Sequence, residues 1–152
     1  MKKILAAIDF SEITTKVVEQ AAVLAAALGA ELEILHVVAP EPAFVGYAAY
    51  SYPGRDERAE ELREEKKDLQ KLVERVRTSH AGLEVSAYMK EAPSAVGIVE
   101  FAHNHEAGII VLGVHSKSAI RRALLGSTSQ DVVSKTTIPV LLVPASGEKG
   151  SI

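Results

Sequence analysis

Ile-Leu-Ala-Ala-Ile-Asp-Phe-Ser, residues 4–11, is the stretch of sequence that decides the fold class. Ile4–Ile8 is an unbroken apolar run, a pattern typical of a β-strand that is covered on both of its faces. Asp9 ends the run, and Ser11 is a residue of the kind that caps the start of a helix. The segment therefore predicts a buried strand that leads directly into a helix.

The same alternation of strand and helix continues along the chain. Hydrophobic periodicity predicts further strands at residues 32–38, 83–89, 109–112 and 140–143. It predicts helices at residues 13–28, 56–80, 94–102 and 127–136, and Ser94 is placed to cap the third. Five strands that alternate with helices indicate a parallel sheet with helices on both faces, within the single domain that 152 residues allow.

Composition excludes several classes of protein. The chain has no cysteine, which excludes disulfides, thiolate catalysis and zinc–sulfur sites. Its net charge of −3 gives no electrostatic reason to expect nucleic acid as a partner. No stretch approaches the roughly 20 apolar residues of a membrane span. We therefore expect a cytoplasmic protein that binds neither nucleic acid nor a membrane.

The segment Gly113–Ser129 is the main candidate for a ligand site. In open parallel sheets, ligands bind beyond the carboxyl ends of the strands, where the strand order reverses. We expect Gly113 to serve a sharp turn or the close approach of a ligand. Gly126–Ser129 offers backbone N–H groups and hydroxyls at a helix start, which suits a phosphate, although helix capping without a ligand explains the same residues. The dinucleotide-binding and P-loop motifs are both absent.

Acidic and histidine side chains supply the other candidates. Asp9 stands either as an anion that stabilises a helix N-terminus or as a ligand of a ribose. His36, inside a strand, and His80, at the end of a helix, are interpreted as structural. His103 and His105 are predicted to lie on the surface, and a separation of two residues on a helix makes them poor joint metal ligands.

These segments together resemble the universal stress protein family. Its ATP-binding members carry G-x-x-G, nine residues and then G-[ST], a pattern that Gly113 and Gly126–Ser127 match. Residues 3–12, 35–38, 108–113 and 138–143 resemble the family's first, second, fourth and fifth strands. The resemblance extends to about residue 144 and implies a domain at 1–144 followed by a disordered polar tail at 145–152. It also implies a Rossmann-like, adenine nucleotide alpha hydrolase-like sheet of strand order 3-2-1-4-5.

The resemblance implies a role for each matching residue. Asp9, with the backbone at Ala7 and Ile8, would contact ribose and adenine, and Val37 would present backbone groups to the adenine edge. The residues that would line the nucleotide or bind its phosphates are Leu112, Gly113, His115, Ser116, Gly126, Ser127, Thr128 and Ser129. The implied ligand is ATP or AMP, with Mg or Mn as a possible companion held by no protein side chain directly. No catalytic residue is implied, and hydrolysis would at most be slow.

Two departures from the family pattern leave alternatives open. Ser116 replaces the second glycine of the loop, and Ala7 replaces a proline that is often present. Because some members of the family bind no ATP, a nucleotide-independent dimeric scaffold with a vestigial pocket is the main alternative. A small nucleotidyl transferase is a third, which the absence of catalytic signatures disfavours.

The last predicted strand suggests self-association. Val140–Val143 is wholly apolar, yet this strand is expected at an edge of the sheet, where an exposed apolar strand invites aggregation. Antiparallel pairing with the same strand of a second copy would cover it by two-fold symmetry. Dimerisation in that manner is also what the family resemblance implies, so we expect a homodimer.

Overall fold

Five parallel strands form one sheet in the computed structural model, which describes residues 2–40, 54–115 and 127–145. The strands are β1 Lys3–Ile8, β2 Glu31–Val38, β3 Val85–Glu91, β4 Ile109–Val114 and β5 Val140–Pro144. Their order across the sheet is β3-β2-β1-β4-β5, which confirms the predicted fold. The helices of the described residues are α1 Thr14–Leu28, α2 Arg55–Ser79, α3 Ser94–Asn104 and α4 Ser127–Lys135.

Both faces of the sheet are covered, which explains the unbroken apolar runs of the central strands. Ile4 and Ala6 of β1 belong to the hydrophobic cluster that packs under α1 and α2. Leu5 and Ala7 belong to the cluster that packs under α3 and α4. Successive side chains of a strand point to opposite faces, so a strand with helices on both sides needs apolar residues at every position.

The order in which successive strands are added to the sheet reverses between β1 and β4. β1, β2 and β3 follow one another outward on one side, and β4 and β5 occupy the other side. β1 therefore pairs with both β2 and β4, and its carboxyl end lies between theirs. This is the switch point at which parallel α/β sheets bind ligands.

Two predicted helix caps are wrong. The residue before α1 is Ile13 rather than Ser11, and it makes no side-chain capping hydrogen bond. The Ser11 N–H instead donates to Oδ1 of Asp9, and its carbonyl accepts the N–H of Thr14. Ser94 is the first residue of α3, and the cap position is held by Pro93. An extra turn therefore separates β1 from α1. Within this turn it is the Asp9 carboxylate, and not a serine hydroxyl, that accepts a backbone N–H.

One of the two roles predicted for Gly113 is wrong, because Gly113 does not make a turn. β4 continues through Gly113 to Val114, with Gly113 paired to Val143 of β5. A Cβ atom at this position would lie 2.9 Å from Cγ2 of Ile13 and 3.0 Å from Cγ2 of Val17. The missing side chain therefore makes room for α1 to pack closely on β4.

The two edges of the sheet differ in character. β3 alternates between more and less buried residues and lies at one edge, as its pattern predicts, although it begins at Val85 rather than Leu83. β5 lies at the other edge and is apolar throughout, and its Leu141 side chain is 41% exposed. Of the predicted tail at 145–152, Ala145 is described and its N–H donates to the carbonyl oxygen of Val114 at 2.8 Å, and residues 146–152 lie outside the described residues.

Candidate functional site

A pocket of about 310 Å³ opens at the carboxyl ends of β1, β2 and β4, at the switch point. Its floor is a row of three apolar side chains, because Ala7 of β1 pairs with both Leu35 of β2 and Leu112 of β4. Its walls come from the first turns of α1, α3 and α4. Volume and position both fit a small-molecule site, for which roughly 300–1,000 Å³ is usual.

Most of the residues predicted to bind a ligand line this pocket. They are Ala7, Ile8, Asp9, Val37, Leu112, Gly113, His115, Thr128 and Ser129. Ser116 and Gly126 lie outside the described residues, and for Ser127 the structure describes only the backbone, as the first residue of α4. The structure thus brings together residues that are more than 100 positions apart in the sequence.

Sequence reasoning missed six residues of the lining. These are Ile13, Thr14 and Val17 of the α1 region, Leu35 of β2, and Ser94 and Ile98 of α3. For those on helices, helical spacing was a usable signal, since residues three or four apart on a helix share one face. A helix that begins directly beyond a strand at the switch point presents its first such face to the site.

Asp9 is the acidic group of the pocket and is held from two sides. Oδ1 accepts the N–H of Ser11 at 3.0 Å, and Oδ2 lies 3.2 Å from Nε2 of His115. Partial burial by itself would raise the pKa of Asp9, but the hydrogen bonds at Ser11 and the nearby His115 outweigh it. The pKa therefore lies below its ordinary value of 3.8, and the group is an anion at neutral pH.

The α4 side of the pocket is rich in polar groups. Thr128 and Ser129 stand in the first turn of α4, where backbone N–H groups lack partners within the helix. The Ser129 hydroxyl donates to the carbonyl oxygen of Gly113 at 3.3 Å, which fixes the helix start against β4. This end of the pocket therefore combines backbone donors, hydroxyls and the positive end of a helix dipole, an environment that favours an anion.

The β2 side of the pocket is apolar and closely packed. Val37 and Ile98 line it, and α3 approaches Val37 because residue 97 is a glycine. A Cβ atom on Gly97 would lie 2.9 Å from both Cγ1 of Val37 and Cβ of Ala92. The lack of a side chain at Gly97 therefore lets α3 pack close to β2 at this side of the pocket.

A buried histidine supports the turn that carries Asp9. Nδ1 of His36 lies 3.1 Å from the carbonyl oxygen of Ile8, and Nε2 lies 3.0 Å from Oε2 of Glu65 on α2. The ring also packs edge-on against Phe10, at 4.8 Å between ring centroids. Phe10 has φ of +57°, a backbone conformation that few residues adopt. His36 is thus structural, as predicted, and it ties α2 to the residues on either side of Asp9.

No group of three or more His, Cys, Asp or Glu side chains in the described part of the chain is placed to hold a metal ion. In the same residues, no helix combines the length and apolar character needed to cross a bilayer.

Comparison with known proteins gives a consistent picture. The model of the universal stress protein family matches residues 1–144. A universal stress protein of Methanocaldococcus jannaschii is 34% identical over 143 residues, which cover 93% of this chain and 81% of that protein.

Two solved structures share the fold. One is a universal stress protein of Archaeoglobus fulgidus in complex with dAMP, with a TM-score of 0.67 at 24% identity over 93% of this chain and 97% of the other. The second is a universal stress protein in complex with cAMP, with a TM-score of 0.68 at 22% identity over 95% of this chain and 98% of the other.

Proposed function

This chain belongs to the universal stress protein family, and we propose that it binds an adenine nucleotide, ATP or AMP, in the pocket at the switch point. The observation that carries the proposal is the position of Asp9. Its carboxylate stands between an apolar end formed by Val37 and Ile98 and a donor-rich end formed by the start of α4. The pocket thus offers an apolar wall, then a carboxylate and then a group of hydrogen-bond donors, an order that suits the base, the ribose and the phosphates of a nucleotide.

The base is assigned to the end of the pocket beside β2. Leu35, Val37 and Ile98 provide an apolar slot there, and the backbone of Val37 lies at the end of the strand, where its polar groups can reach the edge of a purine. Relatives of the same fold have been solved with dAMP and with cAMP, both of which carry adenine.

The phosphates are assigned to the end of the pocket beside α4. Ser127, Thr128 and Ser129 lie in the first turn of that helix, and Ser116 and Gly126 precede it in the chain. Since Mg²⁺ and Mn²⁺ prefer phosphate and water oxygens to a dedicated protein cage, either ion would enter with the triphosphate.

The protein is proposed to act as a cytoplasmic binding module in a stress response or in signalling, with at most slow hydrolysis. Asp9 and His115 are the titratable side chains among the described residues that line the pocket, and they are paired with each other. Neither is a free general base beside the phosphate end, and positioning without such a base gives little turnover.

A homodimer is part of the same proposal. β5 is an edge strand whose residues are apolar, and Leu141 is partly exposed to solvent. Antiparallel pairing of two β5 strands would satisfy the open backbone groups of both edges and cover this side chain.

Calorimetric titration with AMP and with Mg·ATP tests the binding proposal. We expect the wild-type protein to bind one nucleotide per chain. Asp9→Asn keeps the shape of the side chain but removes its charge, and it should weaken binding about 10-fold or more, as expected for the loss of a charged hydrogen-bond acceptor. Asp131→Asn, an exposed carboxylate on α4 outside the pocket, is the matched control. A wild-type protein that binds neither nucleotide at millimolar concentration would favour the scaffold alternative.

A further inference from the structure

His36 is a buried titratable side chain whose two ring nitrogens both lie against hydrogen-bond acceptors. The residue is 6% exposed. Nδ1 lies 3.1 Å from the carbonyl oxygen of Ile8, and Nε2 lies 3.0 Å from a carboxylate oxygen of Glu65. A carbonyl and an ionised carboxylate only accept hydrogen bonds, and a neutral imidazole has a single N–H to donate. Both contacts are therefore hydrogen bonds only in the imidazolium form of His36, which donates from each nitrogen.

The two acceptors belong to different elements around the pocket. Ile8 is the last residue of β1 and directly precedes Asp9, the proposed ribose ligand. Glu65 lies on α2, and its side chain is 33% exposed. Doubly protonated His36 thus fastens α2 to the end of β1. Neutral His36 has one proton for two acceptors, so one of these two attachments is lost when the ring loses a proton.

Phe10 makes the turn after β1 depend on the same ring. Its φ is +57°, a conformation that a residue other than glycine keeps only where the surrounding structure holds it. The Phe10 ring packs edge-on against His36, at 4.8 Å between the ring centroids. His36 therefore contacts both the residue before Asp9 and the residue after it.

Glu65 is the charged partner of His36. Met89 of β3 is the register partner of His36, and the buried residues of α1, which covers the same face of the sheet, are uncharged. Other charged side chains on the same side of α2 as Glu65, or on the same face of β3 as Met89, are Arg58, Glu61, Asp68 and Glu91. Arg58 and Asp68 are bonded to other groups, and the two glutamates are exposed. The Glu65 carboxylate therefore decides which form of the ring satisfies both contacts.

We propose that His36 and Glu65 form a positioning pair whose protonated state holds Asp9 in place for a ribose, so that nucleotide affinity falls when His36 loses its proton. The inference rests on the proposed function and deepens it by naming how the affinity of the site is regulated. As the pH rises and the ring becomes neutral, the turn that carries Asp9 is no longer fastened to α2. Histidine is the side chain whose charge changes most readily near neutral pH.

Glu65→Gln separates this role from simple structural support. The glutamine keeps the length and shape of the side chain, and its amide either accepts a hydrogen bond from a protonated Nε2 or donates one to a bare Nε2. The attachment of α2 to the turn then survives in both forms of His36, and its dependence on pH is removed. Glu61→Gln, one turn earlier on α2 and exposed, is the matched control.

Calorimetric titration with AMP from about pH 5 to pH 9, which spans the range in which histidines change charge, tests the proposal. The wild-type protein should lose about 3- to 10-fold more affinity over this range than Glu65→Gln, the effect of one hydrogen bond. Glu61→Gln should follow the wild-type protein. Charge changes at His115 and at the phosphate of AMP affect all three proteins equally and cancel in the comparison. Parallel profiles for the wild-type protein and Glu65→Gln would overturn the proposal.

NMR of the ¹⁵N-labelled protein without nucleotide tests the pair independently of the proposed function. Both ring nitrogens of His36 should carry protons at the acid end of this range. Loss of one proton should coincide with shifts in the backbone amides of Asp9 and Phe10 that are larger in the wild-type protein than in Glu65→Gln. A ring with one proton throughout, or equal shifts in the two proteins, would overturn the proposal. A wild-type protein that binds no AMP at any pH would contradict the proposed function itself.

Discussion

Nε2 of His115 lies 3.2 Å from Oδ2 of Asp9, so that a side chain just beyond β4 pairs with a carboxylate just beyond β1 across the mouth of the pocket. Both side chains are more than half exposed, and the pair is therefore expected to add little to the stability of the fold. Its effect is on the ionisation of Asp9. It helps to hold Asp9 as an anion in the position where a ribose would meet it.

Removal of the histidine should change the titration of Asp9. We expect His115→Ala to raise the pKa of Asp9 toward its ordinary value of 3.8, because one of the contacts that lower it is lost. Carboxyl ¹³C chemical shifts followed by NMR against pH measure this directly. His103→Ala, an exposed histidine on α3, should leave the Asp9 titration unchanged. An unchanged titration in His115→Ala would show that the pair does not act on Asp9 in solution.

The same shift fixes the sign of a stability effect. The pKa of Asp9 is lower in the folded protein than in the unfolded chain, so ionised Asp9 contributes stability above about pH 3.8. That contribution is lost as the pH falls through the lowered folded-state pKa. His115→Ala should therefore make this contribution smaller, and its loss on acidification should be complete at a higher pH, because the folded-state pKa moves toward that of the unfolded chain.

The Glu33 carboxylate predicts a pH effect at the alkaline end. Glu33 is buried in β2, 3.1 Å from Nζ of Lys3 and 3.0 Å from Nδ1 of His105. Its hydrogen bond and charge raise the pKa of Lys3 above 10.5. Because the folded-state pKa is raised, the stabilisation is complete below pH 10.5 and is lost as the pH rises through the folded-state value.

Lys3→Met should therefore lower the melting temperature at pH 8–9, and the difference from the wild-type protein should shrink once the pH passes the raised pKa of Lys3. Thermal melts followed by circular dichroism from pH 8 to beyond the raised pKa of Lys3 measure the effect. Lys67→Met is the control, since Lys67 pairs with Glu64 on the exposed face of α2. A difference that stays constant to the highest pH would mean that the Lys3 charge is not its cause.

The close approach of α1 to β4 predicts a coupled pair of substitutions. Gly113→Ala should cost about 1–3 kcal/mol in the free energy of unfolding, because the new Cβ would crowd Ile13. In an Ile13→Ala background, the same substitution should cost about 0.5–3 kcal/mol less, because two of the three nearest atoms are gone and only Val17 still crowds the new Cβ. Urea denaturation of the four proteins of this cycle measures the coupling. Strictly additive costs would show that the glycine is not there to admit Ile13.

The exposed apolar edge of β5 predicts that one charged substitution prevents dimerisation. Leu141→Lys places an ammonium group on the exposed side of β5, where a lysine blocks edge-to-edge pairing. Sedimentation velocity should show the wild-type protein at twice the 16.2 kDa of one chain and the variant at that single mass. Ser86→Lys, on the opposite edge strand β3, should leave the dimer intact. A wild-type protein that sediments as a monomer would remove the dimer from the proposal.

The sequence predicted the sheet and most of the pocket because both follow from local patterns. Continuous apolar runs mark strands that are covered on both faces, and the residues at the carboxyl ends of the central strands lie at the switch point. Asp9, which ends the first run, and Val37, near the end of the second strand, could be found in this way. Gly113 lines the pocket, but its role in the packing of α1 could not be read from the sequence of β4.

The contacts that could not be predicted are those between distant residues. His105 was expected on the surface, yet it stacks on Phe101 and bonds to Glu33, 72 positions earlier in the chain. Thr14 was overlooked because a threonine in a helix is usually a surface residue. Only the tertiary arrangement shows that Thr14 lines the pocket and that its hydroxyl is buried without a hydrogen-bond partner among the described residues.

The most direct test of the central claim is an NMR titration of the ¹⁵N-labelled wild-type protein with AMP and with Mg·ATP. The account predicts saturable shifts in the backbone amides of Asp9, Val37, Gly113 and Thr128, which line the pocket. The amide signals of Gly29 and Gly82, which lie at the amino ends of the strands and far from the pocket, should not shift. Shifts confined to the amino ends of the strands, or no saturable shift at millimolar nucleotide, would contradict the claim that this pocket binds an adenine nucleotide.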